Sequence, residues 1–203
     1  MNALRSVTLE VPDPDAARAF HKSVLGADLP VHVRAGDSPT SGFRGYTLSL
    51  VVARPGMVDS LATAALDTGA TTIKPVAKSF WGYGCALRGP DGAVWTFASS
   101  SKRHDGPAEP VIDSTVLLLG VAAVTASRQF YTGRGLTAAK SFGGRYVEFD
   151  RGGSPITLAL LGRKALAKNG GVDPDGTGSS RIVLGGDTDP FTDPDGFVWE
   201  TSS

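Results

Sequence analysis

Two stretches of this sequence nearly match each other at a separation of about half the chain. The segment GPDGAVWTFASS at 89–100 corresponds to DPDGFVWETSS at 193–203, with tryptophan at the same place in both. The segment LRSVTLEV, followed by ARAFHKSVLGADL, corresponds in the same way to IDSTVLLLGV followed by ASRQFYTGRGL. Each half therefore opens with a strand and a helix and closes with a turn and a strand, which predicts a duplicated unit.

A polar stretch that contains Gly and Pro separates the two halves, as is typical of a linker. We accordingly predict an N-terminal domain at residues 1–101, a linker at 102–112 and a C-terminal domain at 113–203. Between Leu160 and Phe191 the second half has a Gly-rich stretch and no clear second amphipathic helix. The C-terminal copy is therefore predicted to be abbreviated in that stretch.

Local patterns in the first half predict short strands and two helices. Residues 4–11 alternate between apolar and polar side chains, as a half-buried strand does. Asp13, followed directly by proline, predicts the start of a helix that ends at Gly26. Apolar residues recur at helical spacing over 58–66, and this second predicted helix ends at Gly69.

Composition excludes several classes of partner. Twenty basic residues balance twenty acidic ones, so no net charge attracts a nucleic acid or an anionic membrane. Cys85 is the only cysteine, which rules out an intrachain disulfide and a thiolate metal cluster. Neither a signal peptide nor an apolar run of about 18 residues is evident, so we expect a cytoplasmic protein.

The repeated phrases resemble the glyoxalase/bleomycin-resistance/dioxygenase family, also called the vicinal oxygen chelate superfamily. ARAFHKSVLG resembles the family's opening helix, with Phe20-His21 and then Phe130-Tyr131 in place of its Phe-Tyr pair. WGYGCALRGPDGAVW and DPDGFVWE resemble its closing turn and strand. The resemblance implies an α+β fold in which paired βαβββ modules form two tandem glyoxalase-like domains, with curled mixed sheets around cavities.

Metal-dependent members of the family bind a divalent ion through inward His, Glu or Gln side chains. The resemblance places Ser6, Thr47 and Thr96 at those positions in the first half. Hydroxyl groups are poor ligands for a divalent ion unless carboxylates are also present. We therefore expect no metal there.

In the second half, the resemblance places Ser114 at the first position, Ser180 or Arg181 at the second, and Glu200 at the third. One carboxylate is a poor ligand set, although Glu148 or Asp187 could complete it in space. We therefore expect no cofactor, with a divalent metal as the disfavoured alternative.

Other residues with reactive side chains are scattered. His21, His32 and His104 fall on three separate predicted elements, so we interpret them as packing or surface residues. Cys85 has no histidine placed near it in a recognisable pattern, which favours a small buried residue over a nucleophile.

A cavity without metal binds its ligand by aromatic stacking and polar contacts, as the resemblance to bleomycin-resistance proteins implies. Trp81 lies between Phe80 and a Gly-Tyr-Gly segment and is the candidate for stacking on a flat, aromatic ligand. The complete set of candidate ligand-binding residues is Ser6, Thr47, Trp81, Thr96, Ser114 and Glu200. Trp95 and Trp199 occupy equivalent places in the repeat, and we predict that both pack in the core.

Three functions follow from these residues. The first is metal-independent binding, including sequestration, of a small organic molecule by a monomer or homodimer. The second is a lyase or isomerase that uses a metal or uses Glu200 as its catalytic acid or base. The third is a regulatory or scaffolding protein whose cavities are filled by its own side chains.

Overall fold

A computed structural model describes residues 2–26, 30–80, 82–104 and 106–202. Its α-helices are α1 (Pro14–Leu25), α2 (Pro55–Asp67), α3 (Val124–Gly133) and α4 (Arg163–Gly170). The strands of the first half are β1 (Leu4–Val11), β2 (Val31–Ala35), β3 (Ser41–Gly42), β4 (Tyr46–Val52), β5 (Thr71–Ser79), β6 (Gly82–Arg88) and β7 (Val94–Ser99). Those of the second half are β8 (Ile112–Val121), β9 (Ala138–Phe142), β10 (Tyr146–Phe149), β11 (Ile156–Gly162), β12 (Gly176–Thr177), β13 (Ile182–Gly186), β14 (Phe191–Thr192) and β15 (Val198–Thr201).

The two helices predicted in the first half are confirmed. The Asp13 side chain accepts hydrogen bonds from the backbone N–H groups of Asp15 and Ala16 and so caps α1. Gly26 follows the last residue of α1 with φ 73°, a backbone conformation that favours glycine. α2 spans the predicted apolar segment and is followed by Gly69.

In the second half, the stretch predicted to lack a clear second amphipathic helix contains α4, a helix of eight residues. Gly171 ends it in the left-handed conformation, and the Gly171 N–H donates to the carbonyl of Lys168. The helix is short and rich in polar residues, which explains why no long apolar pattern marked it in the sequence.

Two complete βαβββ modules form an eight-stranded sheet in the order β5-β6-β7-β4-β8-β11-β10-β9. In each module the first strand pairs in parallel with the last, β4 with β7 and β8 with β11. The modules are joined through antiparallel pairing of β4 with β8, in which Leu48 lies opposite Leu117. The predicted α+β fold of paired βαβββ modules is confirmed by this sheet.

A five-stranded sheet has the order β14-β15-β13-β1-β2. It is formed by two reduced modules, which have fewer strands or lack the helix of a complete module: β1-α1-β2 and β13-β14-β15. Antiparallel pairing of β1 with β13 joins them, and each has a parallel neighbour, β2 beside β1 and β15 beside β13. Both large sheets thus combine strands from before and after the predicted linker. The division into domains at 1–101 and 113–203 stays a prediction. In both large sheets, strands from the first predicted domain are hydrogen-bonded to strands from the second.

A continuous hydrophobic core lies between these elements. It includes the inward sides of both large sheets, for example Leu9 of β1 and Leu50 of β4, both with no exposed surface. Trp95 and Trp199 are 0% and 1% exposed, which confirms the predicted packing role of both tryptophans. Among the described residues, no helix is long and apolar enough to cross a lipid bilayer.

The outward face of the eight-stranded sheet is partly covered by α4. Leu166 and Ala167 of this helix pack with Phe43 and Val94 in a small second core. Arg163, at the start of the helix, donates to the backbone carbonyls of Phe43 at 2.6 Å, Gly176 at 2.9 Å and Pro174 at 2.8 Å. These bonds fix α4 against the end of the sheet where β4 begins.

Candidate functional site

A cavity of about 330 Å³ opens on the outward face of the five-stranded sheet. Strands β1, β2, β13 and β15 provide most of its wall. The side chains around it are mainly hydroxyl-bearing or charged. Its lining residues are Arg5, Ser6, Thr8, Pro30, His32, Val183, Gly185, Glu200, Thr201 and Ser202.

Strand alternation explains why polar groups meet on this face. On β1, Val7 and Leu9 enter the core, so Ser6 and Thr8 point the other way. Thr8 lies opposite His32 of β2.

The other half of the sheet brings Glu200 to the same face. Ser6 lies opposite Gly185 of β13, and Gly185 in turn lies opposite Glu200 of β15. A hydroxyl, a glycine and a carboxylate therefore form one row across the sheet.

Gly185 keeps this row open. A Cβ atom at position 185 would lie 2.2 Å from the Ser6 Oγ, far inside van der Waals contact. The absence of a side chain thus lets the Ser6 hydroxyl occupy the middle of the row.

Arg34 contacts one of the lining residues, Glu200. Its Nε and Nη2 donate to Glu10 Oε1 at 2.9 and 2.7 Å, and its Nη1 lies 3.5 Å from Glu200 Oε1. Arg34 belongs to β2 and Glu200 to β15, and two strands separate these in the sheet. The contact therefore requires the five-stranded sheet to curl. The hydrogen bond to Glu10 also raises the pKa of the Arg34 guanidinium above its ordinary value.

Arg5 closes one side of the cavity. Its Nε donates to Asp187 Oδ2 at 2.7 Å, and its Nη1 donates to the carbonyl of Gly152 at 2.8 Å. Ser202 Oγ, in the same wall, is buried and has no hydrogen-bond partner among the described residues. A buried hydroxyl without a partner is uncommon, so Ser202 is an available donor or acceptor.

The charges in and around the cavity leave one carboxylate poorly compensated. Arg5 is paired with Asp187, and Arg34 is bound at short distance by Glu10. Among the described residues, the ion-pair contact of Glu200 is the one with Arg34 at 3.5 Å, and its side chain is 50% exposed. The cavity therefore presents a half-exposed carboxylate with a long ion pair to a ligand.

A divalent metal, which the family resemblance implies for some members, is poorly matched by these donors. Of the described residues in the wall, His32 and Glu200 are the two with ligand-type side chains, and Arg34 lies against the carboxylate. Hydroxyls such as Ser6 and Thr8 add no charge. Over the described ranges of the chain, no group of three or more His, Cys, Asp or Glu side chains is placed to hold an ion. The residues present do not suit a metal.

The six predicted binding residues do not share one site. Ser6 and Glu200 line the polar cavity together. Ser114 lines a different cavity, between the last turn of α1 and the beginning of β8. Trp81 lies outside the described residues.

Thr47 and Thr96 lie on β4 and β7, in the eight-stranded sheet. Thr47 is 2% exposed, next to the end of α4, where a Cβ at Gly170 would lie 3.7 Å from its methyl group. We expected Ser6 to lie beside these two threonines and Ser114 to lie beside Glu200, and both expectations were wrong. Ser6 and Glu200 lie in the five-stranded sheet, whereas the two threonines and Ser114 lie in the eight-stranded sheet.

The other residues weighed as ligands have structural partners. Arg181 is buried and donates to the carbonyls of Glu10 and Ser38. Glu148 accepts hydrogen bonds from Lys140 and from the Tyr146 hydroxyl on the eight-stranded sheet. Ser180 lies in a short 3₁₀ turn before β13.

His32 lines the candidate site but was not among the predicted binding residues. The alternating phrase Val31-His32-Val33 did carry a signal, because Val31 is buried and His32 must then face outward with Arg34. Which strand lies beside β2 was not readable from that alternation. His21 is a buried packing residue that bonds Asp91, and His104 is a surface residue that bonds Asp59, in agreement with the interpretation of these histidines as packing or surface residues.

Cys85 is buried, as predicted, on the core side of β6. Burial raises the pKa of its thiol to about 11. A thiol that ionises so reluctantly is a poor nucleophile, so Cys85 takes no part in the candidate site.

Solved structures share this architecture. Glyoxalase I from Zea mays superposes with a TM-score of 0.58 at 13% sequence identity, over 98% of this chain and 91% of the maize chain. A single-residue mutant of the same maize enzyme gives a TM-score of 0.59 at 14% identity over the same shares of the two chains. A glyoxalase/bleomycin resistance protein/dioxygenase family enzyme from Burkholderia phytofirmans matches 48% of this chain and 98% of its own, at 22% identity and a TM-score of 0.43.

No family model matches the sequence, and no curated protein is detectably similar to it. At these identities the solved structures establish the fold alone. The chain therefore has the fold of the glyoxalase/bleomycin-resistance/dioxygenase, or vicinal oxygen chelate, superfamily.

Proposed function

We propose that the protein binds a small, polar, positively charged organic molecule in the cavity of the five-stranded sheet, without a metal. The half-exposed carboxylate of Glu200, which shares Arg34 with Glu10 and contacts it only at 3.5 Å, is the observation that carries this proposal. It is the natural counter-charge for an amine or guanidinium group of the ligand. Binding without turnover, including sequestration, is the mode implied by the resemblance to bleomycin-resistance proteins.

The lining narrows the class of ligand. Ser6, Thr8 and Ser202 offer hydroxyls, and His32 offers a ring nitrogen. A volume of about 330 Å³ is at the lower end for small-molecule sites. These features favour a compact hydroxylated cation over the flat aromatic ligand suggested by Trp81.

A second candidate is metal-free acid–base catalysis by a lyase or isomerase. His32 and Glu200 line the same cavity, and both residue types serve as general acids or bases. Chemical conversion of a bound ligand that stops in Glu200→Gln and in His32→Gln would favour this candidate over binding alone.

The third candidate is a regulatory or scaffolding protein whose own side chains fill its cavities. Only the eight-stranded sheet supports this candidate. There α4 covers the outward face near Thr47 with Leu166 and Ala167. In the part of the chain that the structure describes, no helix covers the polar cavity of the five-stranded sheet in this way, so we place the ligand there.

The test uses D-glucosamine as a cationic hydroxylated probe and D-glucose as its neutral counterpart. We expect glucosamine to bind the purified protein and glucose to bind about tenfold more weakly, because a charge-assisted contact is lost. Ligand-observed NMR and calorimetric titration measure both affinities. The Glu200→Gln variant should bind the two sugars equally.

Two matched variants locate the binding. Thr8→Phe fills the cavity and should abolish binding, whereas Thr96→Phe places the same ring on the outward side of the other sheet and should leave it unchanged. Equal binding of glucosamine and glucose, or full binding by Thr8→Phe, would contradict the proposal.

A further inference from the structure

A second cavity of about 550 Å³ lies on the helix side of the eight-stranded sheet. It is formed where the last turn of α1 meets the beginning of β8, beside α2 and the loop between β10 and β11. It shares no lining residue with the polar cavity of the five-stranded sheet. Its chemistry can therefore be considered separately from the function proposed above.

The inner wall of this cavity is apolar. Val24 and Leu25 of α1 and Leu61 of α2 are buried core residues that also line it. Pro110 and Ile112 continue the wall at the start of β8. Such a wall accommodates a hydrocarbon body and excludes water around it.

One polar group is set into this apolar wall. Thr115 lines the cavity and is 1% exposed, and its Oγ1 has no hydrogen-bond partner in the part of the chain that the structure describes. The backbone around it is paired normally, with Leu50 and Ile156 on the neighbouring strands. Because buried hydroxyls are almost always paired, the free Thr115 hydroxyl points to a partner supplied by a ligand.

The rim carries charges of both signs. Lys22 and Arg151 are cationic, and Glu109 and Asp113 are anionic. Among the described residues, none of the four is within ion-pair distance of an opposite charge. Both signs are thus available to a ligand at the mouth of the cavity.

From this combination we infer that the cavity binds a small zwitterion with an apolar body and a hydrogen-bonding tip. The apolar body lies against Val24 and Leu61, and the tip bonds the Thr115 hydroxyl. The ligand's carboxylate lies near Lys22 and Arg151, and its ammonium lies near Glu109 and Asp113. Amino acids with a hydroxylated aromatic side chain belong to this class.

L-Tyrosine is the probe that has all three features, and L-phenylalanine lacks only the tip. We expect the full-length protein to bind tyrosine about tenfold more tightly than phenylalanine, because only tyrosine pairs the buried hydroxyl. Tyramine and 3-(4-hydroxyphenyl)propionate, which each lack one charge, should both bind more weakly than tyrosine. Ligand-observed NMR measures all four affinities.

Thr115→Val keeps the shape of the side chain and removes its hydroxyl. This variant should bind tyrosine and phenylalanine equally, while Thr157→Val, a matched change on β11 outside the cavity, should keep the preference. Arg151→Gln changes an exposed residue and tests the rim independently of folding. It should weaken tyrosine binding and leave tyramine binding unchanged.

Three results would overturn the inference. These are no tyrosine binding by the unaltered protein, equal binding of tyrosine and phenylalanine by it, and a tyrosine preference that survives in Thr115→Val. If Thr115→Val does not fold, unchanged tyrosine binding by Arg151→Gln overturns it instead. D-Glucosamine should not compete with tyrosine, so this test and that of the polar cavity fail separately.

Discussion

His21 and Tyr131 occupy the same place in the two halves of the repeat, and each bonds an aspartate of a closing turn. His21 Nε2 donates to Asp91 Oδ2 at 2.8 Å, and Tyr131 Oη donates to Asp193 Oδ2 at 2.6 Å. Both contacts are buried, and each joins a helix to the turn before a buried tryptophan strand. Both halves of the repeat therefore have a buried hydrogen bond between helix and closing turn, although the donor residue is histidine in one half and tyrosine in the other.

The two aspartates are not at the same position of their turns. In the first half the turn begins with Gly89, and Asp91, two residues later, accepts from His21 and from Trp95 Nε1 at 3.0 Å. In the second half the turn begins with Asp193 itself. A Cβ at Gly89 would lie 2.5 Å from Asp91 Oδ1, so the inward Asp91 carboxylate excludes a side chain there.

Removal of either donor should destabilise the fold. His21→Phe and Tyr131→Phe each leave a buried aspartate with one hydrogen bond fewer, at an expected cost of about 1–3 kcal/mol in the free energy of unfolding. Urea denaturation followed by tryptophan fluorescence measures the change. The surface variant His104→Gln serves as a comparison and should cost less, and equal losses in all three would argue against a special role for the buried ties.

The Asp193 tie also predicts a pH dependence. Burial raises the pKa of Asp193 above its ordinary value, and the hydrogen bond from Tyr131 opposes that rise. Because the pKa of Asp193 is higher in the folded state than in the unfolded state, its protonation favours the folded state. This contribution to the free energy of unfolding is complete below the unfolded-state pKa and is lost as the pH rises through the folded-state pKa. Tyr131→Phe removes the opposing bond, so the pKa of Asp193 should rise further.

The free energy of unfolding should therefore fall more steeply with rising pH in Tyr131→Phe than in the unaltered protein, over the range between the unfolded-state and folded-state pKa values of Asp193. Carboxyl-carbon NMR measures the pKa directly. Asp193→Asn is the control, since it lacks the titrating group and should lose this part of the slope. A smaller pH dependence in Tyr131→Phe would contradict the assignment.

Cys85 should be unreactive in the folded protein. Its pKa of about 11 leaves little thiolate at pH 8, and the side chain is 8% exposed. We expect a chromogenic disulfide reagent to modify it at least about 100-fold faster in denaturant than in buffer. Rapid modification of the native protein would mean that β6 is open to solvent on its core side.

Leu166 should anchor α4 to the outward face of the eight-stranded sheet. It is 1% exposed, and Leu166→Ala should cost about 2–5 kcal/mol in the free energy of unfolding, as core truncations do. Leu66→Ala, a change at a side chain that is 45% exposed, is the matched control and should cost less. Hydrogen exchange of the Thr47 amide should also accelerate in Leu166→Ala, and unchanged exchange there would show that α4 does not cover this residue.

The repeat and the family phrases predicted the fold class and the local elements well. Periodicity and capping residues are local signals, so α1 was predicted from Asp13 to Gly26 as it is found. The packing of Trp95 and Trp199 followed from their equivalent places in the repeat. These features depend on neighbours in the chain, which a sequence displays directly.

The site could be predicted only in part because strand pairing is a long-range property. Similar phrases in the two halves do not say which strand pairs with which, and the pairings of β1 with β13 and β4 with β8 placed Ser6 and Thr47 in different sheets. The pairing of β1 with both β13 and β2 also brought His32 to the cavity that Glu200 lines. The cover provided by α4 depends on a short helix with a weak apolar pattern.

The central claim is that the ligand site lies in the five-stranded sheet of reduced modules, with Glu200 as its charge. Amide NMR shifts on addition of D-glucosamine test it most directly. We predict that the amides of Ser6, Thr8 and Gly185 shift in a saturable way, and that those of Ser49 and Thr96 do not. Saturable shifts confined to Ser49 and Thr96, or no shifts near Glu200, would contradict the account.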